Sequence, residues 1–267
     1  MAALLKVDNL TKHFGGILAL DHLSFEVQEG EIYSIIGPNG AGKTTLFNCI
    51  SGLYRPDKGS ILFSGQELIG LKPHKIAELG IARTFQNIEL FSHMTTMDNL
   101  LLGRHIHLRS GVWHSLLLPW RKSLTAREEV AHRARIEQII DFLELQSARD
   151  QFVKSLPYGR QKLVELGRAL ALEPKLLLLD EPSAGMNTEE RQDLFFWLQD
   201  IKEDLGITIV MIEHNMQMVM DVSDRILAID FGKKLAEGLP EEVANHPDVI
   251  KAYLGEDEHE SAAVARQ

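Results

Sequence analysis

Gly37-Pro38-Asn39-Gly40-Ala41-Gly42-Lys43-Thr44 is the stretch that decides the fold. It fits G-x-x-x-x-G-K-[ST], in which glycines let successive backbone N–H groups converge on phosphate oxygens. The context is the one the pattern requires. Glu31 to Ile36 reads as a strand entering the loop, and an apolar-periodic helix leaves it through Leu53. The helix N-terminus adds the positive end of its dipole. Lys43 is expected to neutralise the β- and γ-phosphates, and the Thr44 hydroxyl to ligate Mg²⁺; Thr45 closes the cradle. A plain glycine turn before a helix would explain neither Lys43 nor Thr44.

Four leucines and an acid, Leu176 to Asp180, read as a buried strand delivering a carboxylate to its C-terminal edge. Ligands bind at that edge in open α/β sheets. Asp180 suits a water-mediated Mg²⁺ contact, and Glu181 beside it suits a general base for the attacking water. A helix cap would also use one acid there, but not the pair followed by Pro182.

Around these two segments, Leu4 to Leu10 and Ile17 to Val27 read as strands broken at Gly15-Gly16, and Lys58 to Leu68 as a hairpin-like strand segment. Residues 72–155 read as helical, with Val130, Ala134, Ile136, Ile139, Ile140 and Leu143 forming an apolar stripe. From Gly159 onward the pattern is helix, strand Lys175 to Leu179, helix Glu189 to Leu205, strand Ile207 to Ile212, helix Asn215 to Val222 and strand Arg225 to Ile229. Strands alternating with helices predict a largely parallel sheet covered on both faces. The tail from Gly255 to Gln267 is polar and small-residue rich, and disorder is expected for it.

A chain of 267 residues with 45% hydrophobic and 25% charged residues is long enough for a large core. Its net charge of −10 argues against a general nucleic-acid surface, which needs a basic footprint. With one cysteine, Cys49, no internal disulfide is possible; the expectation is a small core residue on a helix. Met1 to Lys6 carries no secretory-signal pattern, and no stretch approaches the ~20 apolar residues that span a bilayer. Any membrane role is therefore expected to come through a partner.

Lys43 and Asp180 lie 137 residues apart, too far for a compact small GTPase or nucleoside kinase, and residues 72–155 supply the excess. Over nearly its whole length the chain resembles the ABC ATPase family. That resemblance implies an α/β P-loop core with a mixed β-sheet, an N-terminal antiparallel β subdomain and an inserted α-helical subdomain. It implies one ATPase domain over 1–254, the helical part at about 88–165, and a tail at 255–267. Phe14 stands where the family places an adenine-stacking aromatic. Gln86, in Arg83-Thr84-Phe85-Gln86, resembles the glutamine that touches Mg²⁺ or its water and senses the membrane subunit. His214 resembles the switch histidine that contacts the γ-phosphate and steadies the general base.

The signature segment departs from the family's Leu-Ser-Gly-Gly-Gln. Here it reads Leu156-Pro157-Tyr158-Gly159-Arg160-Gln161, so the serine hydroxyl is absent and Tyr158 and Gly159 are left to meet the nucleotide. This variant, with Ala184-Gly185-Met186-Asn187, Ala236-Glu237-Gly238 and Val249 to Gly255, resembles the subgroup that powers branched-chain amino acid importers. The resemblance implies ATP bridging two cassettes, identical or sibling, on the cytoplasmic face of the inner (plasma) membrane. It also implies two transmembrane permease subunits, and a periplasmic or extracellular substrate-binding protein acting indirectly. Importers of urea or amides, a lipid or lipopolysaccharide exporter and a non-transport ABC protein are the alternatives. In residues 101–124, Trp113, Leu116 to Leu118 and Trp120 among Arg104, Arg109, Arg121 and Lys122 suggest a partner-contacting flap, or an insertion packed on its own helical subdomain.

Overall fold

The computed structural model describes residues 3–86, 88–105 and 122–253, with side chains of the helix that opens at 122 described from 129. Two sheets share the molecule. β1 (Ala3–Phe14), β2 (Ile17–Gln28), β4 (Lys58–Phe63) and β5 (Gln66–Glu67) form an antiparallel sheet in the order β2-β1-β4-β5.

The second sheet has the order β10-β9-β3-β8-β7-β6. It is built from β3 (Ile32–Ile36), β6 (Ile81–Arg83), β7 (Leu176–Asp180), β8 (Thr208–Ile212), β9 (Arg225–Asp230) and β10 (Lys233–Gly238). Only β10 runs antiparallel to its neighbour, making the sheet mixed. β6 and β10 were not foreseen. Ile81-Ala82-Arg83 is too short for its alternation to register inside an otherwise helical block, and β10 is polar and only partly buried.

All five residues of β3, β7 and β8 are buried. Alternation sends Ile36, Leu177, Leu179, Ile209 and Met211 to one face and Ile35, Leu176, Leu178, Val210 and Ile212 to the other. Each such aliphatic side chain contributes on the order of 1.5–3 kcal/mol. The first face is covered by α3 (Thr96–Gly103), α4 (Lys122–Phe142), α5 (Tyr158–Leu170), α6 (Thr188–Glu203) and α7 (Met216–Val222). The second meets the antiparallel sheet and α1 (Lys43–Ile50), which carries the buried Cys49. α2 (Pro73–Glu78) and α8 (Pro240–Ala244) are short helices.

The apolar stripe of α4 is shorter than its sequence suggests. Ile136, Ile139, Ile140 and Leu143 are buried, whereas Val130 and Ala134 are exposed. At 100° per residue those two fall on the opposite side of the helix. Arg104 is also removed from any exposed basic face. It is buried, paired to Glu173 at 3.1 Å, and donates to His132 Nδ1 at 2.9 Å and the Ala171 carbonyl at 3.3 Å. Trp113, Leu116 to Leu118, Trp120, Arg109, Arg121 and the segment 254–267 lie outside the described residues. Among the described residues no helix is long and apolar enough to cross a membrane.

Candidate functional site

Four adjacent strands, β3, β8, β7 and β6, bring the candidate residues to one edge of the sheet. The phosphate loop leaves the C-terminal end of β3. Gly37, at φ 151°, has no room for a side chain, because a Cβ there would lie 2.0 Å from the Ile229 carbonyl oxygen. Pro38 and Ala41 are buried, while Asn39, Gly40 and Thr44 are exposed and Gly42 and Thr45 are half-buried. Lys43 is buried, and its Nζ donates to the carbonyls of Gly37 at 2.6 Å and Pro38 at 2.8 Å, so the ammonium is held inside the curl of the loop. The β9–β10 turn braces the loop from behind. Gly232 N–H donates to the Ala41 carbonyl at 2.9 Å, and Asp21 N–H donates to the Gly232 carbonyl at 3.0 Å.

Asp180 ends β7, as its reading with the four leucines predicts. It is almost fully buried, and burial pushes its carboxyl above the ordinary range, with the Arg83 guanidinium pulling the other way. Oδ2 accepts from Arg83 Nη2 at 3.0 Å, whereas Oδ1 has no hydrogen-bond partner. A buried carboxylate oxygen with no donor is a group that a cation or its bound water would satisfy. The donor set here therefore fits a hard divalent ion such as Mg²⁺.

Glu181 follows in the left-handed region, at φ 51°, with its N–H on the Ile212 carbonyl at 2.9 Å. Such a backbone is uncommon for a residue with a side chain and clusters at functional sites. It turns the carboxylate to face two other loops. Oε1 meets His214 Nε2 at 2.8 Å, and Oε2 accepts from Gln86 Nε2 at 3.0 Å. The first contact requires the imidazole proton on Nε2. Glu181, His214 and Gln86, predicted separately, thus converge on one carboxylate.

The signature segment keeps different company. Pro157 occupies the N-cap of α5 and offers no side-chain cap. Gly159 is buried under the Glu190 carboxylate, which leaves Pro157 and Tyr158 exposed at the head of α5, and the Tyr158 ring lies against Gly185. Burial pushes the Tyr158 phenol upward, helped by the charge of Glu165. Asn187 and Glu190 cap α6 reciprocally, through Glu190 N–H to Asn187 Oδ1 at 2.9 Å and Asn187 N–H to Glu190 Oε2 at 3.0 Å. Phe14 stands apart from these groups, edge-on to Tyr54 with centroids 5.2 Å apart and Lys12 Nζ 5.2 Å from its ring.

Several buried charges escaped the sequence reading, three of them around the Gln86 loop. Arg83 pairs with Asp180, bonds Asn48 and Ser51 of the α1 segment, and lies near the rings of Phe47 and Phe85. Lys162 donates to the Gln86 carbonyl at 3.0 Å. Glu165 accepts from Phe85 N–H at 3.4 Å, and burial pushes its carboxyl up. The usable signal was charge at Lys162 and Glu165, one turn apart on an otherwise apolar helix face, and at Arg83 directly before Thr84-Phe85-Gln86.

Comparison with known proteins agrees with this arrangement. The family profile described as ABC transporter matches residues 20–184, and that of the branched-chain amino acid ATP-binding cassette transporter matches 233–259. The high-affinity branched-chain amino acid transport ATP-binding protein BraF of Pseudomonas aeruginosa is 41% identical over 253 residues, 95% of this chain and 98% of that one. LivG of Escherichia coli, of the same description, is 42% identical over 257 residues, again 95% and 98%. A crystal structure of the ADP conformation of an ATP-binding cassette of an ABC transporter superposes with a TM-score of 0.82 at 32% identity, covering 96% of this chain and 100% of that one. With a matching profile across most of its length, relatives above 40% identity and the cassette fold, the chain belongs to the ABC transporter ATP-binding cassettes, in the group of branched-chain amino acid transport ATP-binding proteins.

Proposed function

We propose that this chain hydrolyses ATP to drive a branched-chain amino acid importer. The observation that carries the reading is Glu181, held between His214 at 2.8 Å and Gln86 at 3.0 Å, one residue beyond the buried Asp180 and on the same sheet edge as the phosphate loop. The substrate class rests on the names of BraF and LivG and on the profile matched at 233–259.

In this reading Gly37 to Thr45 wrap the nucleotide phosphates with backbone N–H groups, and Lys43 exchanges its loop carbonyls for phosphate oxygens. Phe14 packs on the adenine. Thr44, Asp180 and Gln86 would hold Mg²⁺, which supplies charge neutralisation between phosphate oxygens. Glu181 takes the proton of the attacking water, and His214 steadies the carboxylate and meets the γ-phosphate. Tyr158 and Gly159 serve the nucleotide of a second cassette, identical or sibling, so the dimer closes on ATP and relaxes after hydrolysis.

The ATPase domain spans 1–254, with the helical portion at about 88–165 inserted in it. The chain works at the cytoplasmic face of the inner membrane, against two permease subunits served by an external binding protein.

Size-exclusion chromatography with ATP and Mg²⁺ tests the engine. Glu181→Gln is expected to trap a dimer, with the sibling ATPase present if the pair is mixed, and Lys43→Ala to lose nucleotide binding or turnover. A Glu181→Gln protein that stays monomeric in both settings refutes the bridging site. Uptake of labelled leucine, urea and an aromatic acid by the complex in proteoliposomes tests the cargo, and the reading fails if leucine is excluded while another is taken up.

A further inference from the structure

Glu213 sits between β8 and His214 and is only 2% exposed. Its carboxylate faces main-chain N–H groups of two different loops. Oε1 accepts from Ser183 N–H at 2.8 Å, on the loop that leaves β7 through Glu181 and Pro182. Oε2 accepts from His214 N–H at 3.1 Å and, at longer range, from Asn215 N–H at 3.4 Å, on the loop that leaves β8.

β7 and β8 remain paired up to Asp180 and Ile212, and the Glu181 N–H still reaches the Ile212 carbonyl. Beyond that point the two loops part, and Glu213 ties them together. An aliphatic side chain would fill the end of β8 without the cost of burying a charge. A carboxylate is acceptor-only on both oxygens, which is what two inward-facing sets of N–H groups require; an amide would turn an NH₂ toward one of them.

We propose that Glu213 is a positioning residue of the ATPase. By bridging the loop of Glu181 and the loop of His214, it sets the separation at which those two side chains meet. The inference rests on the reading of Glu181 as general base, and it predicts a defect in turnover rather than in nucleotide binding. Misplacement of reacting groups by about 1 Å can cost roughly 100-fold in rate.

The test uses the full chain as Glu213→Gln and Glu213→Asp, assembled with its permeases and partner ATPase for kinetics and alone for binding and spectroscopy. Glu213→Gln is expected to lower kcat by about 100-fold while KM and the affinity for a fluorescent ATP analogue stay within about twofold of wild type. The His214 imidazole ¹H–¹⁵N signal is expected to move toward that of a free histidine. Glu213→Asp keeps the charge, folds if the amide variant does not, and is expected to recover part of kcat and of the His214 signal. Unchanged kcat and an unmoved His214 signal in a folded variant overturn the proposal. So does a loss of kcat, affinity and thermal midpoint together, which marks a structural role only. If instead Glu181→Gln hydrolyses ATP normally while the His214 signal still moves in Glu213→Gln, the bridge stands and the general-base reading falls.

Discussion

Arg83 and Asp180 form a buried ion pair at 3.0 Å, with side chains 7% and 3% exposed, across 97 residues of sequence. Of the other guanidinium nitrogens, buried Nε has no hydrogen-bond partner and Nη1 is engaged. Nη1 donates to Asn48 Oδ1 at 2.7 Å and Ser51 Oγ at 2.9 Å, fixing the phosphate-loop helix to the end of β7. Removing one member of a buried pair strands the other charge, which costs about 3–5 kcal/mol. Arg83→Met is expected to lose about 3 kcal/mol in urea unfolding, and Asp180→Asn in the same chain to return part of it. A loss below about 1 kcal/mol would show that the pair contributes little.

Gly185 and Tyr158 are sterically linked. At φ 77°, an added Cβ at Gly185 would lie 2.8 Å from the Tyr158 ring. Gly185→Ala therefore pays twice, for the left-handed backbone and for displacing the ring, about 1–3 kcal/mol together. Adding Tyr158→Ser is expected to relieve the ring clash and leave the backbone strain. Thermal melts of the single and double variants check this; strict additivity of the two changes would rule out the linkage.

Asn187 is the N-cap of α6 as well as the last residue of the Ala184-Gly185-Met186-Asn187 segment. Asn and Asp cap comparably, so Asn187→Asp is expected to leave stability within about 0.5 kcal/mol, whereas Asn187→Ala loses about 1 kcal/mol. Chemical denaturation distinguishes the two. Equal losses would mean that the cap is not the source of the effect.

Burial pushes the Cys49 thiol up from an ordinary value near 9.0 to about 11. The folded chain holds the thiol proton more tightly than the unfolded chain. This contribution to stability is constant below about pH 9 and declines as pH rises toward 11. The native thiol is expected to resist a disulfide reagent at pH 8 and to react on unfolding. In Cys49→Ala the decline in stability above pH 9 should be shallower than in wild type; identical slopes would contradict the assignment.

Much of the fold was legible because its decisive features are local. The loop from Gly37 to Thr44 is written in consecutive residues, since backbone sterics require glycine at Gly37 and the chemistry requires Lys43 and Thr44 beside it. The four leucines before Asp180 declare a strand buried on both faces, and the departures at Pro157 and Tyr158, with the segment Ala184 to Asn187, point to one subgroup of the family. Periodicity failed where runs were short or amphipathicity partial. It passed over β6, and it drew Val130 and Ala134 into a stripe that begins at Ile136.

Sequence alone pointed to the chemistry: a phosphate cradle and a pair of carboxylates read from neighbours within a few residues, and a histidine read from its resemblance to the family's switch histidine. Tertiary structure decided how that chemistry is held. Glu181 lies 95 residues from Gln86 and 33 from His214, and the meeting of the three depends on the order β6-β7-β8, which no local pattern encodes. The same is true of Arg83 and Glu213. A charge is tolerated in a core only where partners satisfy it, and the long-range partners here, Asp180 for Arg83 and the Ser183 N–H for Glu213, are set by sheet topology rather than by proximity along the chain.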